Sequence, residues 1–319
     1  MENRLIRKNR DIKLKNKNPW YKDGDYIQLL VLAAIPALII FIWCYIPMFG
    51  IIIAFKNYKY NLGILKSPWI GFKNFENLVS SNVFSKLVFN TIGNNFLFIV
   101  FGTIAAIIIA VLLFEVRSRV ATKVYQTIMI TPHFISMVLV SFLVYIFLSP
   151  NGGLINVLLN RLGMESVDWY ATPKAWPVIL TITYIWKHFG MDSVMYYAAL
   201  MGVDDAVIEA ARIDGANKFR VYLHVILPEL TGLIVILVIL KIGNIFRADF
   251  GMFYQVTRNA GTLYDTTDVM DTYIFRMVRE IGDMGLSSAA DVLQSMVGFV
   301  LVVIINRITK KIDPDKALF

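Results

Sequence analysis

Six apolar stretches, each long enough to cross a bilayer as a helix, constrain this 319-residue chain more than any other feature. A helix needs about 20 apolar residues to span the hydrocarbon core. Only 17% of the residues are charged, against about 25% in soluble domains, and the mean hydropathy is +0.61. The pattern predicts an all-α, polytopic membrane protein. The six predicted spans are Ile27–Ala54, Val88–Phe114, Val124–Leu148, Ala175–Leu200, Leu230–Phe246 and Ala289–Ile308.

The predicted spans divide the chain into two tails, a leading helix, an outer loop and a transmembrane core. The tail at 1–26 holds a dense basic cluster from Arg4 to Lys22, and the span after it is too long for a cleaved signal peptide. Since Lys and Arg favour cytoplasmic loops, we expect both termini in the cytosol, although five lysines in the first outer loop depart from that pattern. The predicted boundaries are 27–55 for the first helix, 56–87 for the outer loop, 88–308 for the core with a cytoplasmic loop at 201–229, and 309–319 for the second tail.

The outer segments carry aromatic and turn residues, which argues against disorder. We expect the first, Lys56–Lys86, to pack as a small lid, and the longest, Arg247–Ser288, to contain a short helix over Val269–Arg279. The net charge of +8 fits membrane topology and anionic headgroups rather than nucleic acid. A lone Cys44 and three histidines without ligand spacing predict no disulfide and no metal site.

A polar segment between the fourth and fifth spans predicts a stiff helical hairpin. Glu209 and Arg212 are spaced to pair on one helical face, and Ala210 and Ala211 present a small surface that another backbone can approach. Asp residues and Asn favour helix starts, Gly favours helix ends, and Pro interrupts helices. The predicted parts are Asp204 and Asp205 as the first cap, Ala206–Ile213 as the first helix, Asp214-Gly215 as its end, Asn217 as the second cap, Lys218–Ile226 as the second helix and Pro228 as its stop. From spacing alone, the hairpin is either a docking element or an interfacial helix in the headgroups.

Longer motifs separate these two interpretations. The hairpin resembles the EAA loop of permease subunits of binding-protein-dependent ABC importers, whose pattern is EAA-x3-G-x9-I-x-LP, with Val225 here in place of the usual Ile. The similarity covers nearly all residues after Pro36. Further segments similar to the oligosaccharide-type permeases are Asn90-Thr91, Pro132–Ser136, Gly152–Asn156, Trp186–Gly190, Tyr196–Leu200 and Asp268–Tyr273. Ala248–Gly251 and Thr266–Asp268 are similar to a branch that includes importers of alginate and uronic-acid oligosaccharides.

The resemblance implies a type I ABC importer permease (MetI-like) fold with six transmembrane helices and a cytoplasmic coupling helix. It implies a location in the bacterial cytoplasmic (inner) membrane and a chain without catalytic residues. The implied partners are a second, homologous permease, two ATPase subunits and an extracytoplasmic solute-binding protein. No P-loop motif occurs in the sequence, so we expect the chain to bind no cofactor and ATP and Mg to be held by the ATPase. The residues expected to couple to the ATPase are Glu209, Ala210, Ala211, Arg212, Asp214 and Gly215.

Polar residues inside the fourth and fifth spans predict the substrate path, because ionisable groups in a membrane usually face a cavity or one another. They are Trp186, Lys187, His188, Asp192, Lys241, Asn244 and Arg247. If Lys187, Lys241 and Arg247 line one cavity, an acidic sugar is favoured; a Lys187–Asp192 pair that only fixes helix packing is the alternative. Aromatic faces for sugar rings could come from Trp186, Tyr184, Tyr196 and Phe246, although packing between helices or anchoring at the membrane interface is the favoured role for any one of them.

Two other classes of protein compete with a permease. A membrane-embedded glycan- or lipid-modifying enzyme requires clustered acid and base residues or a metal site, which the sequence does not show. An ion-coupled secondary carrier predicts inverted repeats and a broken helix at a cation site, and no repeat is evident. The leading prediction is therefore the permease subunit of an oligosaccharide importer.

Overall fold

A computed structural model describes residues 24–314 of the chain. Within this range the secondary structure is helical, apart from one isolated antiparallel bridge between Lys56 and Trp69. The predicted tail at 1–26, with its Arg4–Lys22 cluster, lies outside the described residues except for its last three positions. The described part divides into two compact units that meet in sequence at Ile52 and Ile53.

The first unit is the leading helix. Helix α1 covers Gly24–Ile40, a π-helical turn follows at Phe41–Tyr45, and a short α-helical turn at Ile46–Met48 leads into a 3-10 helix at Phe49–Phe55. The apolar stretch Ile27–Phe55 is long enough to cross a membrane, which agrees with the first predicted span.

The second unit holds the remaining helices. Its principal elements are α2 (Phe84–Phe114), α3 (Arg119–Phe134), α4 (Met137–Leu148), α5 (Trp176–Leu200), α6 (Asp205–Ile213), α7 (Lys218–Val221), α8 (Leu227–Gly243), α9 (Met270–Arg276) and α10 (Met284–Ile312). Shorter α-helices lie at Gly63–Lys66, Lys73–Val79, Leu154–Arg161 and Tyr264–Thr267, with π-helical turns at Tyr222–Ile226, Met252–Val256 and Met277–Ile281 and 3-10 turns at Trp169–Ala171, Pro173–Ala175 and Gly261–Leu263.

A helix is present at each of the six predicted spans, but not all of them qualify as spans by length and composition. Four do in the described residues: Ile27–Phe55, Phe84–Phe114, Lys218–Gly243 and Met284–Lys311. The bent pair α3 and α4 would make a fifth if it crosses as one broken span. Helix α5 has 25 residues, ample length for a crossing, but Lys187 and Asp192 lower its hydropathy.

The third predicted span, Val124–Leu148, is wrong as a single helix. The chain bends by 96° between α3 and α4. Pro132 lies in the last turn of α3, Ile135 is extended, and the Ser136 hydroxyl accepts a hydrogen bond from Leu139 N to start α4. Proline and a new N-cap so close together end one helix and begin another.

Helix α5 is the central element of the second unit and packs closely on α2 and α3. At Gly190 its backbone touches that of α3, because a Cβ there would lie 1.8 Å from the carbonyl oxygen of Met129. At Gly102 of α2 the missing side chain makes room for the ring of Tyr184 on α5. These contacts set the position of the polar residues that α5 carries.

The segment 56–86, predicted to be an outer loop that packs as a small lid, is a small folded layer in the structure. Asn74 donates hydrogen bonds to the carbonyls of Ala54 and Lys56, and the buried Leu78 packs beside Leu87 of α2. The Lys56 ammonium donates to the carbonyls of Ile64 and Leu65. A local folding role for this lysine explains part of the excess of positive charge in the predicted outer loop.

Candidate functional site

A cleft of about 430 Å³, with several charged and amide side chains among mostly apolar walls, lies between α2, α5 and α8. Its central feature is an ion pair in which Lys241 Nζ lies 2.7 Å from Asp192 Oδ2. Both side chains are about three-quarters buried, at 25% and 24% exposure. Asn244 and Arg247 also line the cleft. Four of the seven predicted path residues therefore come together.

Arg247 is the most exposed cation of this cleft, with 54% of its side chain accessible. Helix α8 ends at Gly243, and the chain then turns sharply. Asn95 of α2 fixes the turn by donating hydrogen bonds to the carbonyls of Ile245 and Arg247, at 2.7 and 3.1 Å. The guanidinium donates to Ser295 Oγ at 2.9 Å and lies 3.5 Å from Asp291. The second contact is an ion pair that is long for a charged hydrogen bond, so Arg247 is held less tightly than Lys241.

Lys187, in contrast, does not reach the cleft. Its side chain is buried, and its ammonium donates to the carbonyls of Pro132, His133 and Ile135 at 3.4, 3.0 and 2.5 Å. These carbonyls lie at the break between α3 and α4, where helical partners are missing. The predicted alternative of a Lys187–Asp192 pair is also wrong, because Asp192 pairs with Lys241.

His188 and Trp186 also lie outside the lining of the cleft. The ring of His188 stacks on Tyr184 and contacts His133 edge to face, with centroids 4.5 and 5.4 Å apart. Among the predicted sugar-stacking rings, Tyr196 and Phe246 are buried, and Tyr184 lines the cleft but stacks on both Phe98 and His188. These rings mainly pack between helices.

The predicted trio of cations is therefore not assembled. Lys241 and Arg247 face the cleft together with two carboxylates, Asp192 and Asp249, so the charges of its lining are balanced. The sequence did not single out Asn95 or Asp249. A signal was present for the first, because Asn90, Asn94 and Asn95 recur at helical spacing along an otherwise apolar span.

The hairpin begins and turns as predicted. Asp204 caps α6 by accepting from Ala206 N at 2.9 Å, and Asn217 caps α7 by accepting from Arg220 N at 2.9 Å. Gly215 between them has φ +82°, the left-handed region that glycine occupies freely. The predicted pair of Glu209 and Arg212 is absent, since the structure shows no contact within 4.0 Å between these two described side chains.

One face of the hairpin is packed and the other is open. Ile208, Val221 and Ile226 are buried against α2 and α5. On the other side, Ile213 and Phe219 are 86% and 70% exposed, and Glu209 and Ala210 are exposed as well. Arg212 is also exposed, but it lines a small cleft beside Glu115, between the hairpin and the transmembrane helices. An anchored inner face with an apolar outer face fits a docking element better than a helix lying in headgroups.

Pro228 does not stop the second hairpin helix, which corrects the prediction. The chain continues as a helix from Lys218 to Gly243. A π-helical turn at Tyr222–Ile226 precedes the proline, which then lies in the first turn of α8. Proline is common at the start of an α-helical segment, because its fixed φ suits the helix.

Glu115 ties the hairpin to the transmembrane helices, a role that the sequence did not reveal. This residue follows the last residue of α2 and accepts hydrogen bonds from Lys218 Nζ, at 2.8 Å, and from the Tyr222 hydroxyl. These bonds, that of Lys218 above all, lower the pKa of the Glu115 carboxyl. The carboxylate thus stays charged and joined to the hairpin at neutral pH.

Metal ligands do not cluster in the part of the chain that the structure describes: no group of three His, Cys, Asp or Glu side chains could hold an ion there. The site consists instead of a membrane cleft with an ion pair and a hairpin with an exposed face. Together they are typical of a membrane transport protein.

Comparison with known proteins gives the family. The model of the "Binding-protein-dependent transport system inner membrane component" family matches residues 99–316. The chain belongs to this family and is the permease of a type I sugar ABC importer. Permeases of this family are not catalytic subunits.

The relatives agree over most of their length. The chain is 34% identical over 287 residues to protein LplB of Bacillus subtilis (strain 168), covering 90% of each chain. It is 35% identical over 291 residues to the polygalacturonan/rhamnogalacturonan transport system permease protein YteP of the same organism, covering 91% of this chain and 89% of the relative.

Solved structures support the same fold. A chain from a crystal structure of a bacterial ABC transporter involved in the import of the acidic polysaccharide alginate superimposes with a TM-score of 0.82 at 32% identity. The match covers 93% of this chain and all of that one. A chain from a bacterial alginate ABC transporter in complex with an alginate pentasaccharide-bound periplasmic protein gives a TM-score of 0.81.

Proposed function

We propose that this permease imports oligosaccharides cut from acidic polysaccharides and that its cleft between α2, α5 and α8 forms one half of the sugar path. A second, homologous permease supplies the other half, a solute-binding protein delivers the sugar, and two ATPase subunits provide the energy. In this arrangement the protein is a multi-pass component of the bacterial cytoplasmic membrane with both termini in the cytosol.

The observation that carries the proposal is the Lys241–Asp192 pair in an apolar helix assembly. Charged side chains at membrane depth are costly and usually line a path for polar solutes or ions. The pair here lies on α5 and α8 and faces a cleft that also holds Asn244 and Arg247. Hydroxyl groups of a sugar can exchange hydrogen bonds with each of these groups.

The acidic character of the sugar rests on Arg247 and on the relatives. Lys241 is paired with Asp192 at 2.7 Å, whereas Arg247 has a longer, exposed contact with Asp291 at 3.5 Å. Arg247 is therefore the proposed partner for a sugar carboxylate, which a guanidinium can bind in a bidentate manner. The names of the relatives include polygalacturonan, rhamnogalacturonan and alginate, which are acidic polymers. Uronic-acid oligosaccharides are therefore the proposed substrate class.

The hairpin is the proposed docking point for the ATPase. The exposed residues Glu209, Ala210 and Arg212 lie on α6, and Asp214-Gly215 forms the turn between the two helices. Since the sequence has no P-loop, ATP and Mg would be held by the partner, and the chain would bind no cofactor. Closure of the ATPase dimer would shift the hairpin and bias the permease between two states.

Uptake by the complete transporter in proteoliposomes tests both parts of the proposal. The substrates are a trigalacturonate and its methyl ester, which have equal length but differ in charge. Arg247→Gln is expected to slow uptake of the acid about ten- to a hundredfold, since a hydrogen bond to a charged group contributes about 1.5–3 kcal/mol. Uptake of the ester should be unchanged. Arg258→Gln is the matched control, because Arg258 stacks over the Tyr145 ring outside the cleft.

The outcomes separate the levels of the proposal. Equal slowing of both sugars would show that Arg247 does not recognise the charge of the substrate, while the proposal that the protein is a sugar permease would stand. Uptake that continues without the ATPase subunits would favour an ion-coupled carrier instead. Chemical change of the sugar without ATP would favour a membrane-embedded enzyme.

A further inference from the structure

A second cleft, of about 220 Å³, lies between the hairpin and the ends of the transmembrane helices. Its polar walls are formed by Glu115, Arg117, Arg212 and Lys218, and its apolar floor includes Phe114 and Ile226. With three cations and one carboxylate, its lining carries a net charge of about +2 at neutral pH. This cleft shares no lining residue with the cleft between α2, α5 and α8, which we call the sugar cleft.

Of the three cations in this cleft, only Lys218 has an ion-pair partner in the described part of the chain, Glu115. Glu115 takes the hydrogen bond of Lys218 at 2.8 Å and that of the Tyr222 hydroxyl. Arg117 and Arg212 form no ion pair within 4.0 Å with the described side chains, although Arg212 does lower the pKa of Glu115 from a distance. Two guanidinium groups beside one satisfied carboxylate form a site for an anion with several oxygens.

The place of the cleft in the fold indicates which anion it meets. Glu115 directly follows the span Phe84–Phe114, and Lys218 is the first residue of the span Lys218–Gly243. The bent pair begins two residues beyond Arg117, at Arg119. The cleft thus lies where membrane-crossing helices meet the interface. Basic pockets between transmembrane helices at this depth bind anionic lipid headgroups, and an apolar floor suits the first carbons of the acyl chains.

We infer that this cleft is a binding site for the phosphodiester of an anionic phospholipid, held by Arg117 and Arg212. The bound lipid connects the hairpin, which carries Arg212, to the segment after α2, which carries Arg117. The inference does not depend on the transported sugar, so it can stand or fall separately from the proposed substrate.

Native mass spectrometry of the detergent-purified transporter, titrated with phosphatidylglycerol, measures the affinity of the first bound lipid. Arg117→Gln with Arg212→Gln is expected to weaken it about thirtyfold, which corresponds to about 1 kcal/mol for each basic side chain. The matched control is Arg220→Gln, an exposed arginine of the same hairpin outside the cleft. The charge-preserving pair Arg117→Lys and Arg212→Lys is expected to lose less affinity than the Gln pair, because the charge stays and only the planar fork is lost. Lipid binding by this pair would show that substitution at both positions is compatible with the fold.

Competition distinguishes the sources of the anion. Phosphatidylcholine and inorganic phosphate are added in separate arms. Displacement of phosphatidylglycerol by phosphate alone would uphold an anion site and assign it to a free phosphate. Unchanged affinity in the double Gln variant, or equal loss in the Arg220 control, would overturn the site. If lipid binds only to permease purified without the ATPase, the two arginines pair with an acidic residue of the ATPase in the complete transporter, and the inference fails.

Discussion

Lys241 and Asp192 form an ion pair at 2.7 Å that joins α8 to α5 across the sugar cleft, although they lie 49 residues apart in sequence. Each side chain is about three-quarters buried. A pair in such surroundings contributes less through its attraction than through the damage done when one member is lost.

Removing one member of this pair is therefore expected to destabilise the protein more than removing both. Asp192→Asn or Lys241→Met alone should cost roughly 2–3 kcal/mol, because each leaves a charge without a partner. The double variant should recover most of that loss. Thermal unfolding of the purified transporter measures all three variants as a double-mutant cycle. Additive losses would show that the two charges do not interact in the membrane.

Lys187 is expected to be required for folding rather than for transport. Lys187→Met removes three hydrogen bonds to carbonyls at the break between α3 and α4, at an estimated cost of about 3 kcal/mol or more. The yield of monodisperse protein in size-exclusion chromatography reports this loss. Lys123→Met, at an exposed position of α3, is the control. A well-folded Lys187→Met protein with impaired sugar uptake would contradict the structural role.

Glu115 makes the attachment of the hairpin dependent on pH. Its folded-state pKa is lowered below the ordinary 4.5, so its stabilisation is fully present above that value. The stabilisation is lost as the pH falls through the folded-state pKa. At neutral pH the wild type should have a higher melting temperature than Glu115→Gln. The difference should correspond to about 1–2 kcal/mol of stability, a value kept low because solvent screens the exposed Lys218.

The difference between these two proteins should shrink only below about pH 4.5, which melting curves at several pH values in one detergent can measure. A constant difference down to strong acid would assign the stabilisation to shape rather than to the charge of Glu115.

Gly215 is expected to be essential for coupling. Proline cannot adopt φ +82°, so Gly215→Pro should disturb the turn between the hairpin helices and abolish stimulation of ATP hydrolysis by the loaded binding protein. Gly163→Pro is a close control, because Gly163 has φ +78° and its N–H donates to a carbonyl three residues earlier, as that of Gly215 does. Full stimulation in Gly215→Pro would argue against the hairpin as the point of transmission.

Local signals predicted the hairpin well. The caps at Asp204 and Asn217 and the turn at Gly215 depend on a few neighbouring residues, so the sequence alone was sufficient. Pro228 misled the prediction because a π-helical turn before it moves the proline into a first turn. Ile226, the last residue of that turn, is buried against the core, and such a tertiary contact is not visible in a local sequence pattern.

The charged residues of the spans were found but wrongly assigned. Lys187 and Lys241 look equivalent in sequence. In the structure, Lys187 donates hydrogen bonds to carbonyls at the break between α3 and α4, whereas Lys241 faces the cleft. Pro132 was a local sign of the break between α3 and α4. The 96° bend, however, places the carbonyls at this break beside α5, and a contact between separate helices cannot be read from a local pattern. The partner of Asp192 was equally hidden, because it lies on another helix.

The uninterrupted helix from Lys218 to Gly243 has a mechanical consequence. Its 26 residues form a rod of about 39 Å at 1.5 Å per residue, with the hairpin turn at one end and Lys241 near the other. Because the helix continues through its π-helical turn and Pro228 without a break, it works as a lever: a few degrees of tilt applied at the hairpin displace the Lys241 ammonium by ångströms. The helix would then pivot where Ile226 and Leu230 pack on α2 and α5. A tilt of the helix would therefore first change the ion pair between Lys241 and Asp192.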